Sequence, residues 1–333
     1  MRLYLVPIII FVSSLSLPAH ALDKAGECFL NLAASSAPET SIKDVADRCA
    51  KQKKMQYIPT RLLKEKLTEN NDFVITPHKQ NYVLPITHQK APNQSPYDAQ
   101  KAYPNITNPV QYKEAKLQVS LKVPLYHKDI FTENDGLYFG FTLKSFWQVY
   151  NNELSAPFRE TNYQPELFYQ APISSTSLGG AWLARAGIEH QSNGQTQLLS
   201  RSWNRVYLGL GFQKDNWGLY IQPWYRLPED RKIDDNDPAT PLPPEGDDNP
   251  DIDDYLGHYS VNGVVDWGRY VFTSTIRHNF STGYGSIEAG MSFPLWGRLK
   301  GFVQFFDGYG ESLIDYDHHN QRIGLGILLT DIL

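Results

Sequence analysis

Apolar and polar residues alternate along most of the chain beyond residue 72. The stretch GLYFGFTLKSFWQV, residues 136–149, shows the pattern clearly, because one face is apolar and the other is polar or small. A period of two with one apolar face is typical of a half-buried antiparallel β-strand. The apolar face of this stretch carries Leu137, Phe139, Phe141, Leu143, Trp147 and Val149.

Twelve stretches of this kind are predicted to form strands. The last one, RIGLGILLTDIL, places Ile323, Leu325 and Ile327 on one face and two glycines on the other. The predicted strands cover residues 73–88, 114–127, 136–150, 160–174, 180–192, 202–213, 217–228, 255–266, 269–280, 284–296, 299–310 and 321–333.

Two architectures fit this alternation. In a soluble β-sandwich or lipocalin-like barrel the apolar faces point inward, whereas in an outer-membrane barrel they point toward lipid. The non-apolar faces carry Lys, Arg, Glu and Gln together with Tyr and Gly, as the polar interior of a membrane barrel does. The composition of these faces therefore favours the membrane barrel.

The connections between the predicted strands support the same choice, because long and short ones alternate. Long outer loops and tight periplasmic turns are the bacterial pattern, and only the connection at 281–283 departs from it. We therefore predict an all-β fold, a twelve-stranded antiparallel transmembrane β-barrel with a short N-terminal helical periplasmic segment. The long connections are 89–113, 151–159, 193–201, 229–254 and 311–320, and the short ones are 128–135, 175–179, 214–216, 267–268 and 297–298.

The first 21 residues predict export from the cytoplasm. Arg2 is followed by a short apolar stretch and by the small-residue site Ala19-His20-Ala21, as in a secretory signal peptide. No later stretch approaches the roughly 20 apolar residues of a spanning helix. The net charge of -5 disfavours a nucleic-acid partner.

Residues 22–71 form a separate N-terminal segment that precedes the barrel at 72–333. Its sequence predicts two short helical pieces and contains both cysteines of the chain, Cys28 and Cys49. An even number of cysteines in an exported protein favours a disulfide between them. A metal role is disfavoured, because no further Cys or His lies nearby at ligand spacing.

The longest loop, residues 229–254, is acidic and rich in proline. A calcium site there is conceivable, but the loop lacks the order of acidic residues and the central glycine of an EF-hand. Loops of such composition are more often solvated and mobile. We therefore expect a solvated, mobile outer loop.

Three polar residues share the apolar faces of two neighbouring predicted strands. His190 and Ser192 follow Ile188 at alternate positions, and a hairpin around residue 197 places Asn204 opposite His190 and Ser202 opposite Ser192. A serine, a histidine and an amide side by side are the roles of a nucleophile, a base and an orienting group.

The placement of these residues has two interpretations. In a barrel that stands in lipid, this face points outward, and a neutral Asn204 then holds the imidazole without exposing a carboxylate to hydrocarbon. Alternatively, the three residues lie in the headgroup region at the strand ends and have no chemical role. Spacing alone does not choose between the two. No G-x-S-x-G elbow, H-E-x-x-H motif or phosphate-binding glycine loop competes with them.

Four stretches resemble the outer-membrane phospholipase A family, and they occur in the family's order. They are APFRETNYQPELF at 156–168, HQSNGQTQLLSRSWNR at 190–205, STGYGSIEAG at 281–290 and DGYGESLIDYDHHNQRIGLG at 307–326. The resemblance implies a calcium-dependent, twelve-stranded barrel that hydrolyses acyl ester bonds of phospholipids and lysophospholipids in the outer membrane, with A1 and A2 activity. It also implies that the homodimer is the active form.

The resemblance also implies roles for individual residues. Ser192 corresponds to the nucleophile, His190 to the base and Asn204 to the orienting amide, and the Gly194 amide steadies the oxyanion. The calcium ligands correspond to Ser155 of one subunit and to Gln195 and Ser200 of the other, an all-oxygen set suited to calcium.

Two features depart from the family. At Gln195 the family often has a basic residue, but the implied ligand is the main-chain carbonyl. Residues 22–71 lie outside the matched region, and the acidic loop is longer than expected.

Two other functions remain as alternatives. A passive outer-membrane porin or adhesin would conduct ions or bind ligands and would not need the three polar residues. The aromatic and charged residues on the inward faces of so few strands instead indicate a plugged lumen. A soluble exported β-enzyme would be extracted without detergent.

Overall fold

The computed structural model describes residues 44, 59, 61–62, 65, 76–99, 105–126, 129–173, 177–233, 241–243, 245–297 and 299–331. The chain divides into two compact units, residues 1–55 and 56–333. The second unit contains the barrel. The predicted signal peptide and both cysteines lie outside the described residues. Within the described residues, no helix is long and apolar enough to cross a membrane.

The second unit is built almost entirely of antiparallel strands. Two short helices, α1 (Ser95–Ala99) and α2 (Ile252–Leu256), lie in the long connections. The strands are β1 (Thr76–Pro77), β2 (Asn81–Gln89), β3 (Lys113–Tyr126), β4 (Gly136–Trp147), β5 (Phe158–Ile173), β6 (Ala181–Ser192), β7 (Ser202–Lys214), β8 (Trp217–Arg226), β9 (Tyr259–Trp267), β10 (Tyr270–His278), β11 (Gly285–Trp296), β12 (Leu299–Gly308) and β13 (Asn320–Thr330).

Strands β2 to β13 form a closed barrel in which each strand pairs with its sequence neighbours. Closure comes from the antiparallel pairing of the last strand with the first, in which Ile323 lies opposite His88 and Leu328 opposite Tyr82. A closed barrel has no free strand edge, so the hydrogen bonds of every strand are satisfied within the wall. The prediction of a twelve-stranded antiparallel barrel is confirmed.

The first predicted strand, 73–88, differs from the structure because it is interrupted. Both β1 and β2 pair with β3, but residues 78–80 between them leave the regular ladder. Pro77 cannot donate a ladder hydrogen bond, which favours a break at this point. The His78 side chain is buried, stacks on Phe168 and lies 2.7 Å from a carboxylate oxygen of Glu166.

The two faces of the wall differ sharply in polarity. On β6 the Ile188 side chain is 53% exposed while the next residue, Glu189, is buried, and on β7 Leu208 is 64% exposed while Tyr207 is buried. An outward apolar face of this kind suits contact with lipid. Further exposed apolar residues of the wall are Ile86, Val119, Val123, Phe139, Leu167, Leu210, Ile221, Val265, Phe272, Ile287, Phe305, Ile323 and Leu325.

Buried ion pairs fill much of the interior. Glu114 lies between Arg159 and Arg322, with nitrogen to oxygen distances of 3.0 and 2.8 Å. The Lys116 ammonium group contacts Glu311 at 3.0 Å. Buried charges are tolerated when they are paired in this way. A cavity of about 430 Å³ remains inside the barrel.

Residues of the predicted N-terminal segment contact the barrel. The Arg61 guanidinium donates to the main-chain carbonyl oxygens of Pro77 and His78 at 2.6 and 2.7 Å. Glu65 accepts a hydrogen bond from the Lys122 ammonium at 2.7 Å. Glu65 therefore lies at the inner face of β3, where Lys122 is buried.

The outward face of β7 provides a test of the membrane orientation. Leu208→Arg is expected to destabilise the barrel in lipid by about 2–4 kcal/mol, because the charge must enter hydrocarbon. Leu178→Arg is a matched control, since Leu178 is 70% exposed in a turn between strands. Denaturant titration in vesicles measures both. Equal stability of the two variants would contradict a lipid-facing position for Leu208.

Candidate functional site

The hairpin of β6 and β7 carries the predicted triad. Side chains on the inner face of the hairpin hold it against the barrel interior. Glu189 and Arg205 form a buried ion pair directly across the two strands. The Trp203 indole, which is fully buried, donates a hydrogen bond to the Gln191 side chain at 2.9 Å. These inward contacts fix which side of the hairpin faces outward. The intervening residues His190, Ser192 and Asn204 therefore share the outer side with Ile188 and Leu208.

The predicted register of the hairpin is confirmed. His190 pairs with Asn204 and Ser192 pairs with Ser202. The two side chains of the first pair also meet, since His190 Nδ1 lies 2.8 Å from Asn204 Oδ1. Because an amide oxygen only accepts, this contact places the proton on Nδ1 and leaves Nε2 as the basic nitrogen.

Ser192 lies at the outer end of β6, next but one to His190 and half-buried. It also pairs with Tyr163 of the adjacent strand β5. In the described part of the chain, no side-chain hydrogen bond joins Ser192 to His190. Catalytic hydrogen bonds are often long in the free protein and shorten when the substrate binds.

The loop at 193–201 is organised by one buried asparagine. The Asn193 side-chain oxygen accepts from the main-chain amides of Gln195 and Arg201 at 3.2 and 3.0 Å. Its amide group donates to the Leu199 carbonyl at 2.8 Å and to Glu160 at 3.2 Å. Asn193 thereby ties both ends of the loop to the barrel interior and holds the segment that follows Ser192.

Gly194, the predicted oxyanion residue, has a backbone conformation that favours glycine. Its φ is +65°, and an added Cβ would lie 3.4 Å from the Tyr163 ring. The residue is exposed on the outer side of the hairpin, two residues beyond Ser192. Its backbone is therefore accessible to a group bound at the serine.

The three predicted calcium ligands lie on two different loops. Ser155 is exposed between β4 and β5 and has a left-handed backbone with φ of +55°. Gln195 is exposed and Ser200 half-buried in the 193–201 loop. Among the described residues, no three His, Cys, Asp or Glu side chains cluster as a metal site. The predicted donors are instead hydroxyl and main-chain oxygens.

The long acidic loop contacts the site, which the sequence did not predict. The Ser200 hydroxyl donates to Asp248 at 2.7 Å, and the Asn204 amide group donates to Glu229 at 2.9 Å. Asn249, which is completely buried, accepts from the Ser202 main-chain amide at 3.1 Å. The loop therefore places two carboxylates beside the hairpin.

The expectation of a solvated loop is wrong for its C-terminal part. Ile252 and Leu256 of α2 are buried in an aromatic and aliphatic cluster that includes Trp203 and Trp224. Arg226 pairs with Asp247 at 2.6 Å, which ties this part of the loop to the end of β8. Apolar burial and ion pairing together offset the cost of ordering the chain.

The sequence did not predict a role for Asn193, Glu229 or Asp248. Asn193 adjoins Ser192 in the stretch that resembles the family, and this position could have identified it as a residue of the site. Glu229 and Asp248 belong to a loop whose composition predicts solvation, and no local pattern connects them to residues 25 and 48 positions away. Only the folded loop brings them to the site.

The chain is similar to known phospholipases A1 along most of its length. The family model for phospholipase A1 matches residues 58–329. The phospholipase A1 of Escherichia coli strain K12 is 34% identical over 299 residues, which cover 89% of this chain and 93% of the relative.

Two solved structures of outer-membrane phospholipases share the fold. The Salmonella typhi protein, a dimer with bound calcium, has a TM-score of 0.70 and 34% identity, covering 82% of this chain and 98% of its own. An Escherichia coli active-site mutant with asparagine replaced by alanine has a TM-score of 0.70 and 32% identity, covering 84% and 99%. The region that the family model matches includes all of the barrel except the last residue of β13, and the chain therefore belongs to the phospholipase A1 family of outer-membrane barrels.

Proposed function

We propose that the protein is a calcium-dependent outer-membrane phospholipase with A1 and A2 activity that hydrolyses acyl esters of phospholipids and lysophospholipids. The observation that carries the proposal is the 2.8 Å contact between His190 Nδ1 and Asn204 Oδ1 on the outer wall of the barrel, beside Ser192. A site on the outer wall suits a substrate that is the surrounding lipid, because the ester reaches it laterally.

The relatives support the A1 activity, the calcium and the dimer in this proposal. Curated relatives are named phospholipase A1, and the Salmonella typhi structure is a dimer that contains calcium. The Escherichia coli structure identifies an asparagine as part of an active site. The role that we propose for Asn204, as the group that orients the imidazole, agrees with that finding.

The reaction follows from the chemistry of the three side chains. The Ser192 hydroxyl attacks the ester carbonyl carbon while His190 Nε2 takes its proton. The Asn204 side-chain oxygen accepts a hydrogen bond from the Nδ1–H group throughout and keeps the imidazole oriented. When the tetrahedral intermediate collapses, the imidazolium gives its proton to the departing alcohol. Water then releases the fatty acid from the serine by the same steps.

The oxyanion of the intermediate requires a hydrogen-bond donor near Ser192. We assign this role to the Gly194 main-chain amide, since the residue is exposed two positions beyond the nucleophile. A donor placed where negative charge develops typically contributes about 3–4 kcal/mol to the barrier reduction. A side chain at position 194 would strain the left-handed backbone and displace this donor.

The residues present fit calcium. Ser155, the Gln195 carbonyl and Ser200 provide hard oxygen donors, and the Ser200 hydroxyl directs its proton to Asp248, so its lone pairs remain free. Calcium, when bound, supplies positive charge that polarises a water and steadies the oxyanion. The nearby Asp248 carboxylate adds negative charge that favours a divalent cation.

A homodimer is part of the same proposal. Ser155 and the pair Gln195 and Ser200 are assigned to different subunits, so the calcium shell is complete only at the boundary between two barrels. Two apolar walls facing each other would also form a cleft for an acyl chain. The exposed Ile188 and Leu208 beside the triad suit that role.

The passive porin alternative is disfavoured by the barrel interior. Lys116 of β3 contacts Glu288 of β11 at 3.2 Å, and Arg159 of β5 contacts Asp315 in the connection between β12 and β13 at 2.8 Å. These networks obstruct an open water-filled channel. The adhesin alternative has no specific observation in its favour.

The nucleophile is tested by Ser192→Ala. Hydrolysis of phospholipid in mixed micelles is expected to fall by at least about 10³-fold, because no other group replaces the serine oxygen. Ser202→Ala is a matched control directly across the hairpin and should retain most activity. Heat-modifiable gel mobility checks that both barrels are folded. A Ser192→Ala protein with full activity would exclude the assignment.

The calcium site is tested by Ser200→Ala. The variant is expected to need about tenfold or more calcium for half-maximal activity and for dimer formation, because one oxygen ligand is lost. Thr196→Ala in the same loop is the control, and sedimentation in detergent measures the dimer independently of catalysis. An unchanged calcium requirement in the Ser200 variant would contradict this ligand set.

A further inference from the structure

The Asn204 side chain is a bridge between two groups. Its oxygen lies 2.8 Å from His190 Nδ1, and its nitrogen donates to Glu229 Oε1 at 2.9 Å. The Asn204 main-chain carbonyl also accepts from the Leu227 amide at 2.8 Å, which holds the chain before Glu229 against β7. The three side chains thus form a chain of carboxylate, amide and imidazole.

The carboxylate determines how the amide is oriented. An ionised glutamate only accepts hydrogen bonds, so it selects the NH₂ end of the Asn204 amide and turns the oxygen toward His190. With the amide reversed, its NH₂ group would face Nδ1 and favour the tautomer that protonates Nε2. That tautomer cannot take a proton from Ser192. Glu229 therefore selects the reactive tautomer through Asn204.

The carboxylate also supplies charge that Asn204 lacks. A neutral orienting amide stabilises the imidazolium less than an aspartate does. A negative group hydrogen-bonded to the far side of the amide polarises it and strengthens its contact with Nδ1. Glu229 lies in the loop and is half-buried, so its charge is not placed against hydrocarbon.

We infer that Glu229 is a positioning residue of this site, which acts through Asn204 to orient and stabilise the His190 imidazole. The inference rests on the proposed function, since it assigns a fourth member to the same Ser-His-Asn group. It also assigns a role to the first residue of the long acidic loop.

Three ion pairs involve residues of the same hairpin, of the end of β8 and of the same loop. Arg226 pairs with Asp247 at 2.6 Å, and Lys232 pairs with Asp248. Glu189 and Arg205 pair on the inner side of the hairpin. Within the described residues, Glu229 takes part in no ion pair. Its substitution therefore changes the charge at Asn204 without releasing a paired cation.

The first experiment compares Glu229→Gln with Asp230→Asn. Both remove one negative charge, but Asp230 is exposed and belongs to the same loop one residue further on. Glu229→Gln is expected to lower kcat about tenfold with little change in KM. It should also move the acid limb of the pH profile of kcat/KM to lower pH by about half to one unit, because imidazolium loses a nearby negative charge. Asp230→Asn should do neither.

The second experiment repeats Glu229→Gln in an Asn204→Asp background. Two adjacent carboxylates repel, and one of them tends to hold a proton. Removing the Glu229 charge should therefore raise the activity of the Asn204→Asp protein, the opposite of its effect on the natural sequence. A purely structural role for Glu229 would lower activity in both backgrounds.

Three outcomes overturn the inference: unchanged kcat and pH profile in Glu229→Gln, an equal shift in Asp230→Asn, or the same sign of effect in both Asn204 backgrounds. The natural protein serves as the reference for the proposed function. If it hydrolyses phospholipid and a serine-directed probe labels Ser192, the proposed function stands even when the inference about Glu229 fails.

Discussion

Closure of the β-ladder is the constraint on which the structure depends. In hydrocarbon an unpaired backbone amide or carbonyl costs several kcal/mol, so the wall cannot have a free edge. The pairing of β13 with β2 removes that edge. Once the wall is closed, strand alternation sends every second side chain outward to lipid and the others into the lumen. Ile188 and Glu189, adjacent in sequence, illustrate the two environments.

The same alternation explains why the proposed catalytic residues lie on the outside of the barrel. The inner faces of β6 and β7 are occupied by the Glu189 and Arg205 pair and by Trp203, so the outer faces are available for function. His190, Ser192 and Asn204 sit near the strand ends, where a polar group meets headgroups and not the hydrocarbon centre. A substrate that approaches from the membrane needs no pore.

The long acidic loop adds a polar layer beside this outer face. Asn249 and Ile252 anchor the loop in the molecule, and other residues of the loop contact the hairpin, Glu229 at Asn204 and Asp248 at Ser200. The loop therefore places carboxylates where the hairpin alone has none. The charges remain in the aqueous layer, which limits the desolvation cost that a carboxylate in the wall would carry.

Strand number, strand direction and the register of the β6–β7 hairpin were predictable from the sequence, because period-two alternation and hairpin length are local properties. The resembling stretches likewise led to Ser192, His190 and Asn204 as the proposed catalytic residues. The break at residues 78–80, the role of Asn193 and the contacts of Glu229 and Asp248 required the folded molecule. Each of these depends on contacts between residues that are far apart in sequence. Such contacts form only when the wall closes and the loops fold over it, so no local sequence pattern predicts them.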